Sequence, residues 1–232
     1  MSLFLPIRIH PEGWRFIGIF ATLAFALFFV LQPLGWLAVI LTGWCAYFFR
    51  NPKRITPTQE GLVISPADGI VCAIKTMVPP PRLGMGETPR LRVSIFLNVF
   101  DVHVNRLPIG GKIIKSIYQP GQFFNAALDK ASDHNEQQSL VIQCADQTKI
   151  AVVQIAGLIA RRIVCNVKEG DVAQTGAVFG LIRFGSRVDI YLPEGVDPLI
   201  IEGQRMIAGE TPIANLSIKE TPQTAIPQGI CH

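Results

Sequence analysis

Charge is what this chain has least of: 16% of its 232 residues are Asp, Glu, Lys or Arg, against roughly 25% in an average soluble protein. The shortfall is local. No charged residue occurs from Phe16 to Phe49, and Arg15 and Arg50 bracket the run, so a chain that lives wholly in water is excluded. Cysteine is sparse too. Cys45, Cys72, Cys144, Cys165 and Cys231 are scattered, odd in number and without Cys-x-x-Cys spacing, which argues against a disulfide framework and a thiolate metal site. The four histidines, His10, His103, His134 and His232, include no close His-x-His pair, so a zinc peptidase lacks its ligands. The net charge of +4 is not gathered into a run. Nucleic acid is therefore not an expected partner, whereas an anionic membrane surface is compatible with the charge.

As one helix, the uncharged stretch would be about 51 Å long, far beyond the ~30 Å hydrocarbon core of a bilayer. Gln32-Pro33-Leu34-Gly35 interrupts it and predicts two helices of about 16 and 15 residues folded back as a membrane hairpin. Basic residues flank both outer ends, Arg8 and Arg15 before and Arg50, Lys53 and Arg54 after, so positive-inside bias places both in the cytoplasm. Trp14, Trp36, Trp44 and Tyr47 fall near the proposed edges or turn, as interface aromatics do. A signal peptide fits less well, because the apolar run is too long and Arg-Asn-Pro-Lys-Arg follows it in place of a small-residue cleavage site. The expected location is the cell (inner) membrane, with residues 50–232 on the cytoplasmic face.

Beyond the anchor the texture changes to short apolar runs punctuated by glycine and proline. Strands are predicted at 61–64, 69–77, 91–98, 111–118, 139–145, 149–156, 162–167, 177–184, 186–192 and 213–218. Many short strands with turn signals between them predict a mainly β domain, a compact sandwich or barrel-like fold. One helical stretch is expected at 123–130, and 78–90, with four prolines and two glycines, reads as a surface loop. Glu169-Gly170-Asp171 with Gly176, and Glu202-Gly203-Gln204 with Gly209, match at a spacing of 33 residues. Two copies of one supersecondary unit follow, in the manner of lipoyl-like hybrid-motif hairpins.

Three polar residues stand at the ends of apolar strands: Asp68, His103 and Ser186. Gly185 precedes the serine, and a glycine inside a strand-like run weakens it and admits close approach to the backbone. The hydroxyl of Ser186 is thus placed to attack a neighbouring carbonyl, with His103 as base and Asp68 holding the imidazole. Each residue also has a plain structural reading: a bulge or turn at Gly185-Ser186, a core or capping role for His103, an Asp-Gly turn at Asp68.

Six ordered blocks break that tie. Phe49-Arg50-Asn51-Pro52, Ser65-Pro66-Ala67-Asp68-Gly69, the run from Phe96 through Asp101 and His103 to Pro108, Asn135-Glu136, Val153-Gln154-Ile155-Ala156-Gly157 and Phe184-Gly185-Ser186 together resemble the phosphatidylserine decarboxylase proenzymes, closest to their short form. The resemblance implies a self-cleaving carboxy-lyase. Ser186 would attack the Gly185 carbonyl, and β-elimination would leave chains 1–185 and 186–232. A covalent pyruvoyl cofactor derived from Ser186 would begin the smaller chain. It would form a Schiff base with phosphatidylserine of the bilayer, giving phosphatidylethanolamine and carbon dioxide. The two fragments would remain together as a heterodimer, with further homo-oligomerisation open, and no metal is implied. Many members of the family carry a second histidine where this chain has Arg106, and often a threonine where it has Arg187, which is read here as either a lipid-phosphate contact or a solvated side chain.

The chemistry is coherent in its own terms. Decarboxylating an amino acid leaves a carbanion that no ordinary side chain delocalises, so an electron sink is required. No glycine-rich phosphate cup stands beside a candidate lysine. His103 is also the expected proton donor to the carbanion, since imidazole both accepts and donates near neutral pH. A diacyl lipid leaves the bilayer at about 0.8 kcal/mol per exposed CH₂, so an enzyme acting on its head group docks at the interface. Phe123-Phe124 and the Met85 loop are candidates for insertion, and a buried loop is the other reading of each. An anchored lipoyl-type carrier is the competing function, but the echoed hairpin tips hold Ala173-Gln174 and Met206-Ile207, with no lysine to load.

Overall fold

The computed structural model describes residues 8–121, 135–157, 162–183 and 186–217. The expected helix at 123–130, the pair Phe123-Phe124 and Gly185 itself lie outside the described residues. The chain divides into two compact units, 1–53 and 54–232.

In the first unit, β1 (Arg8–Ile9) pairs antiparallel with β2 (Arg50–Asn51), and between them run α1 (Pro11–Val30) and α2 (Gln32–Phe48), packed on one another. His10 begins α1, its Nδ1 accepting from the Glu12 amide at 3.4 Å. Its own amide donates to the Phe49 carbonyl at 2.8 Å, which ties the two ends of the hairpin. The break falls earlier than the sequence suggests. Leu31 alone is extended, with φ −154° and ψ 107°, and Pro33 sits inside the first turn of α2. A helix's first turn has no use for the amide hydrogen that proline lacks, so proline is tolerated there. With 20 residues and a mean hydropathy of 1.8, α1 is long and apolar enough to cross a membrane. Trp14, Phe25, Phe29, Trp36 and Ile40 are exposed on this unit.

The second unit is mainly β, as the short apolar runs predict. Its strands are β3 (Leu62–Ile64), β4 (Gly69–Met77), β5 (Arg90–Leu97), β6 (Val104–Arg106), β7 (Gly111–Gln119), β8 (Gln137–Gln143), β9 (Lys149–Ala156), β10 (Ile163–Cys165), β11 (Val172–Ala173), β12 (Val178–Ile182), β13 (Ser186–Tyr191), β14 (Arg205–Met206) and β15 (Pro212–Asn215). Eight form one antiparallel sheet in the order β11-β7-β8-β9-β13-β5-β4-β14. A three-stranded sheet β10-β12-β6 and the pair β15-β3 complete the unit.

The internal echo is visible in this order. The matched hairpins supply the two edge strands, β11 on β7 and β14 on β4. Those partners also match: each opens on a glycine, Gly111 or Gly69, and each has its register shift just after, between Ile113 and Lys115 or between Val71 and Ala73. At Gly69 (φ 151°) and Gly111 (φ 156°) a Cβ would stand 2.2 and 2.4 Å from the backbone oxygens of Phe96 and Gln143, so only glycine lets the edge strand start this close to its neighbour. Strand alternation then sorts the two faces. Val93, Ile95, Leu97, Val152, Ala156, Val188 and Ile190 belong to the main core, whereas Val141, Val153, Ile155 and Tyr191 form a smaller cluster with Leu83 and Met85. Met85, 6% exposed, is thus buried in that cluster and not available for membrane insertion; its side chain has sheet to cover.

Candidate active site

Ser186 is the first residue of β13, a central strand, where it lies opposite Leu97 of β5 and Ala156 of β9. It alternates with Val188 and Ile190 and so faces the main core. Its side chain is fully buried, and Oγ has no hydrogen-bond partner among the described residues. A buried hydroxyl without a partner costs about 1–3 kcal/mol, which a purely structural position would shed by being alanine. Arg187 points the other way. It is 1% exposed, with Nη2 donating to Asp189 Oδ2 at 3.0 Å and Nε 2.9 Å from Asp189 Oδ1. It is therefore neither solvated nor on the serine's side of the sheet, because adjacent residues of a strand face oppositely.

His103 immediately precedes β6 and is fully buried. Its Nδ1 lies 3.0 Å from the carbonyl oxygen of Asp101. A carbonyl only accepts, so this bond requires the proton on Nδ1 and leaves the lone pair of a neutral imidazole on Nε2. A neutral ring so held is able to accept a proton at Nε2. It lies beside the end of β12: Leu181 pairs with Val104, and the Ile182 amide donates to the His103 carbonyl at 3.2 Å. Ile182 and Ser186 are four residues apart, joined through a segment whose residues 184 and 185 are not described. Asn105, two residues beyond His103, has its Oδ1 accepting from Gln154 Nε2 at 2.8 Å. Gln154 is the cross-strand neighbour of Val188.

Asp68 stands at the start of β4, with Oδ2 accepting from Arg54 Nη2 at 2.7 Å and Oδ1 from the Ala208 amide at 2.8 Å. Arg54 and Ala208 are thus its partners, and the Asp101 carbonyl is the group on His103 Nδ1. The Asp101 carboxylate accepts from the Asn98 amide at 2.9 Å and pairs with Arg205, which fixes the loop that presents that carbonyl. Sequence reasoning passed over Asp101, although it lies two residues before the histidine. Arg106 donates from Nη1 to the Gly176 carbonyl at 2.9 Å, and burial and the neighbouring Arg54 lower its pKa. On the other flank, Asn135 Nδ2 donates to the Ala156 carbonyl at 2.7 Å, and the Ala156 amide to the Glu136 carbonyl at 3.0 Å. Glu136 Oε1 accepts from Tyr118 Oη at 3.1 Å and from the Ile163 amide at 3.2 Å. The Asn-Glu pair thus secures the strand end beside Ser186.

Burial pushes the Asp68 carboxyl up from its ordinary 3.8, against the pull of Arg54 and the Ala208 amide. A carboxyl whose folded-state pKa exceeds its unfolded value contributes stability that is full below the unfolded pKa and is lost as pH rises through the folded one. Asp68→Asn does not titrate. Its Tm should therefore rise relative to the parent as pH increases from about 4, where Asp begins to ionise in the unfolded chain. Thermal melts across that range check this, and a parent that gains on the variant with rising pH would contradict it.

The chain thus has a buried serine at a strand start, a buried histidine whose Nδ1 meets a backbone carbonyl, and an aspartate just before a strand-opening glycine. Residues 41–214 match the phosphatidylserine decarboxylase family profile. The phosphatidylserine decarboxylase proenzyme of Cereibacter sphaeroides is 59% identical over 211 residues, 91% of each chain. That of Ruegeria pomeroyi is 59% identical over 207 residues, 89% of this chain and 94% of its own. The Paramagnetospirillum magneticum proenzyme is 54% identical over 220 residues, 95% of this chain and 92% of its own. With identity this high along nearly the whole length, the protein belongs to the phosphatidylserine decarboxylase family.

Proposed function

We propose that this chain decarboxylates phosphatidylserine to phosphatidylethanolamine and carbon dioxide, after cutting itself between Gly185 and Ser186 to make a pyruvoyl group from the serine. The observation that carries the reading is the Ser186 hydroxyl, buried and without a partner among the described residues. The cofactor fits because it is built from the residue's own atoms, at a position already enclosed by Leu97 and Ala156.

In the first step His103 Nε2 takes the Ser186 hydroxyl proton as Oγ attacks the carbonyl carbon of residue 185. The C–N bond breaks and an ester forms, with the amine left on residue 186. Loss of the Cα proton then expels the ester as the carboxylate of residue 185 and leaves a dehydroalanine. Tautomerisation to an imine and addition of water release ammonia. A pyruvoyl group at residue 186 would supply the electron sink that ordinary side chains lack: a ketone able to take up the substrate amine with loss of water, conjugated to an amide carbonyl. His103, held by the Asp101 carbonyl, is the group that returns a proton to the substrate carbon. Asp68, fastened by Arg54 and Ala208, supports the strand that borders this site.

The apolar hairpin suits a substrate that stays in the bilayer. We place the chain at the inner membrane, with residues 54–232 on the cytoplasmic side, where basic residues flank both hairpin ends. A reporter at residue 1 should read cytoplasmic, and an external reading would contradict the hairpin. For the activity, vesicles containing carboxyl-labelled phosphatidylserine should release labelled carbon dioxide with the purified chain. Prior treatment with borohydride should abolish the release; release that survives it would contradict the pyruvoyl reading.

A further inference from the structure

Two buried amides beside the site take no part in the chemistry above. Asn105 of β6 and Gln154 of β9 are both fully buried, and the hydrogen bond between them uses Gln154 Nε2 and Asn105 Oδ1. Asn105 Nδ2 and Gln154 Oε1 have no hydrogen-bond partner among the described residues and no contact with solvent. Exchanging N and O in both amides moves these atoms between the two residues and changes nothing else: one NH₂ and one carbonyl oxygen are left over. Buried polar atoms are nearly always paired. A spare donor beside a spare acceptor matches a ligand that offers both complements.

Position says which ligand. Gln154 is opposite Val188, one same-face step from Ser186, and Asn105 is two residues from His103 in the chain. We propose that the Asn105–Gln154 pair selects the head group, its NH₂ taking the carboxylate of the serine moiety and its carbonyl oxygen the ammonium. The inference rests on the functional reading above. A neutral amide suits the task better than an arginine. It holds the carboxylate without cancelling the charge whose departure is the reaction, so ground-state binding is not strengthened at the expense of rate. Phosphatidylethanolamine keeps the ammonium and lacks the carboxylate. The same pair therefore holds the substrate and lets the product go.

The test uses full-length chains bearing Asn105→Leu, Gln154→Leu or both; the double change replaces both partners of a buried hydrogen bond with apolar groups, which proteins tolerate well. Cleavage is followed on a denaturing gel. The cleaved proteins are reduced with borohydride so that neither lipid turns over, and their dissociation constants for short-chain phosphatidylserine and phosphatidylethanolamine are measured. The parent should prefer phosphatidylserine by about 10-fold or more, the scale of a hydrogen bond to a charged group, and the double variant should lose that preference. An unchanged preference in any cleaved variant overturns the proposal. So does failure of all three to cleave, which would assign the pair to folding. A parent that stays in one piece, or gives borohydride nothing to reduce, brings down the functional reading itself and is distinguishable from both.

Discussion

Ser186→Ala should yield one polypeptide of full length with no decarboxylase activity, where the parent yields fragments 1–185 and 186–232. Without Oγ there is no nucleophile, no ester and no route to the ketone, so the loss is complete and not a matter of degree. The same change should stabilise the uncut fold. The hydroxyl it removes is buried and has no partner among the described residues, and an unmet group of that kind costs about 1–3 kcal/mol. Relative to another uncut form of the chain, Ser186→Ala should melt higher by about 2–4 °C for each kcal/mol relieved. A gel and a melting curve check both halves. A cleaved, active Ser186→Ala would refute the assignment, and a lower melting temperature would show that the hydroxyl is satisfied.

His103→Gln should slow maturation by about 10²- to 10⁴-fold, the usual contribution of a positioned general base. Glutamine retains a donor for the Asp101 carbonyl, so the loop is supported while the basic nitrogen is gone. Material cleaved slowly by the variant should also turn over slowly, because the same ring is assigned to the returning proton. A time course of cleavage after denaturation and refolding checks the first effect, and carbon dioxide release per cleaved chain the second. Normal maturation would remove His103 as the base. Normal maturation with impaired turnover would confine it to protonation.

Much of the fold was legible because two-residue alternation and glycine punctuation are local. The predicted bounds 69–77 and 149–156 coincide with β4 and β9, and the 33-residue echo led to the matched edge strands. What was not legible depends on tertiary pairing. β6 lies inside the run of polar and apolar residues around His103, and its three residues become a strand only because β12 pairs with them. The edge strands β11 and β14 are two residues each, too short to carry periodicity. At the site, residue types named Ser186, His103 and Asp68, but not who touches whom. The carbonyl of Asp101 carries no signature in a sequence, since every residue has one. The burial of Arg187 was hidden for a related reason. Its partner is Asp189, on the same face two residues on, and a short spacing between opposite charges reads equally well as a solvated pair.

The account stands on a covalent rearrangement at residues 185 and 186, and the intact mass of the purified, denatured parent chain before and after borohydride treatment tests it most directly. Two masses are expected: 1–185 ending in an ordinary carboxylate, and 186–232 lighter by one ammonia than hydrolysis alone would give, gaining two hydrogens on reduction. A single full-length mass from an active preparation, or a smaller fragment that begins with an unmodified serine, would contradict it.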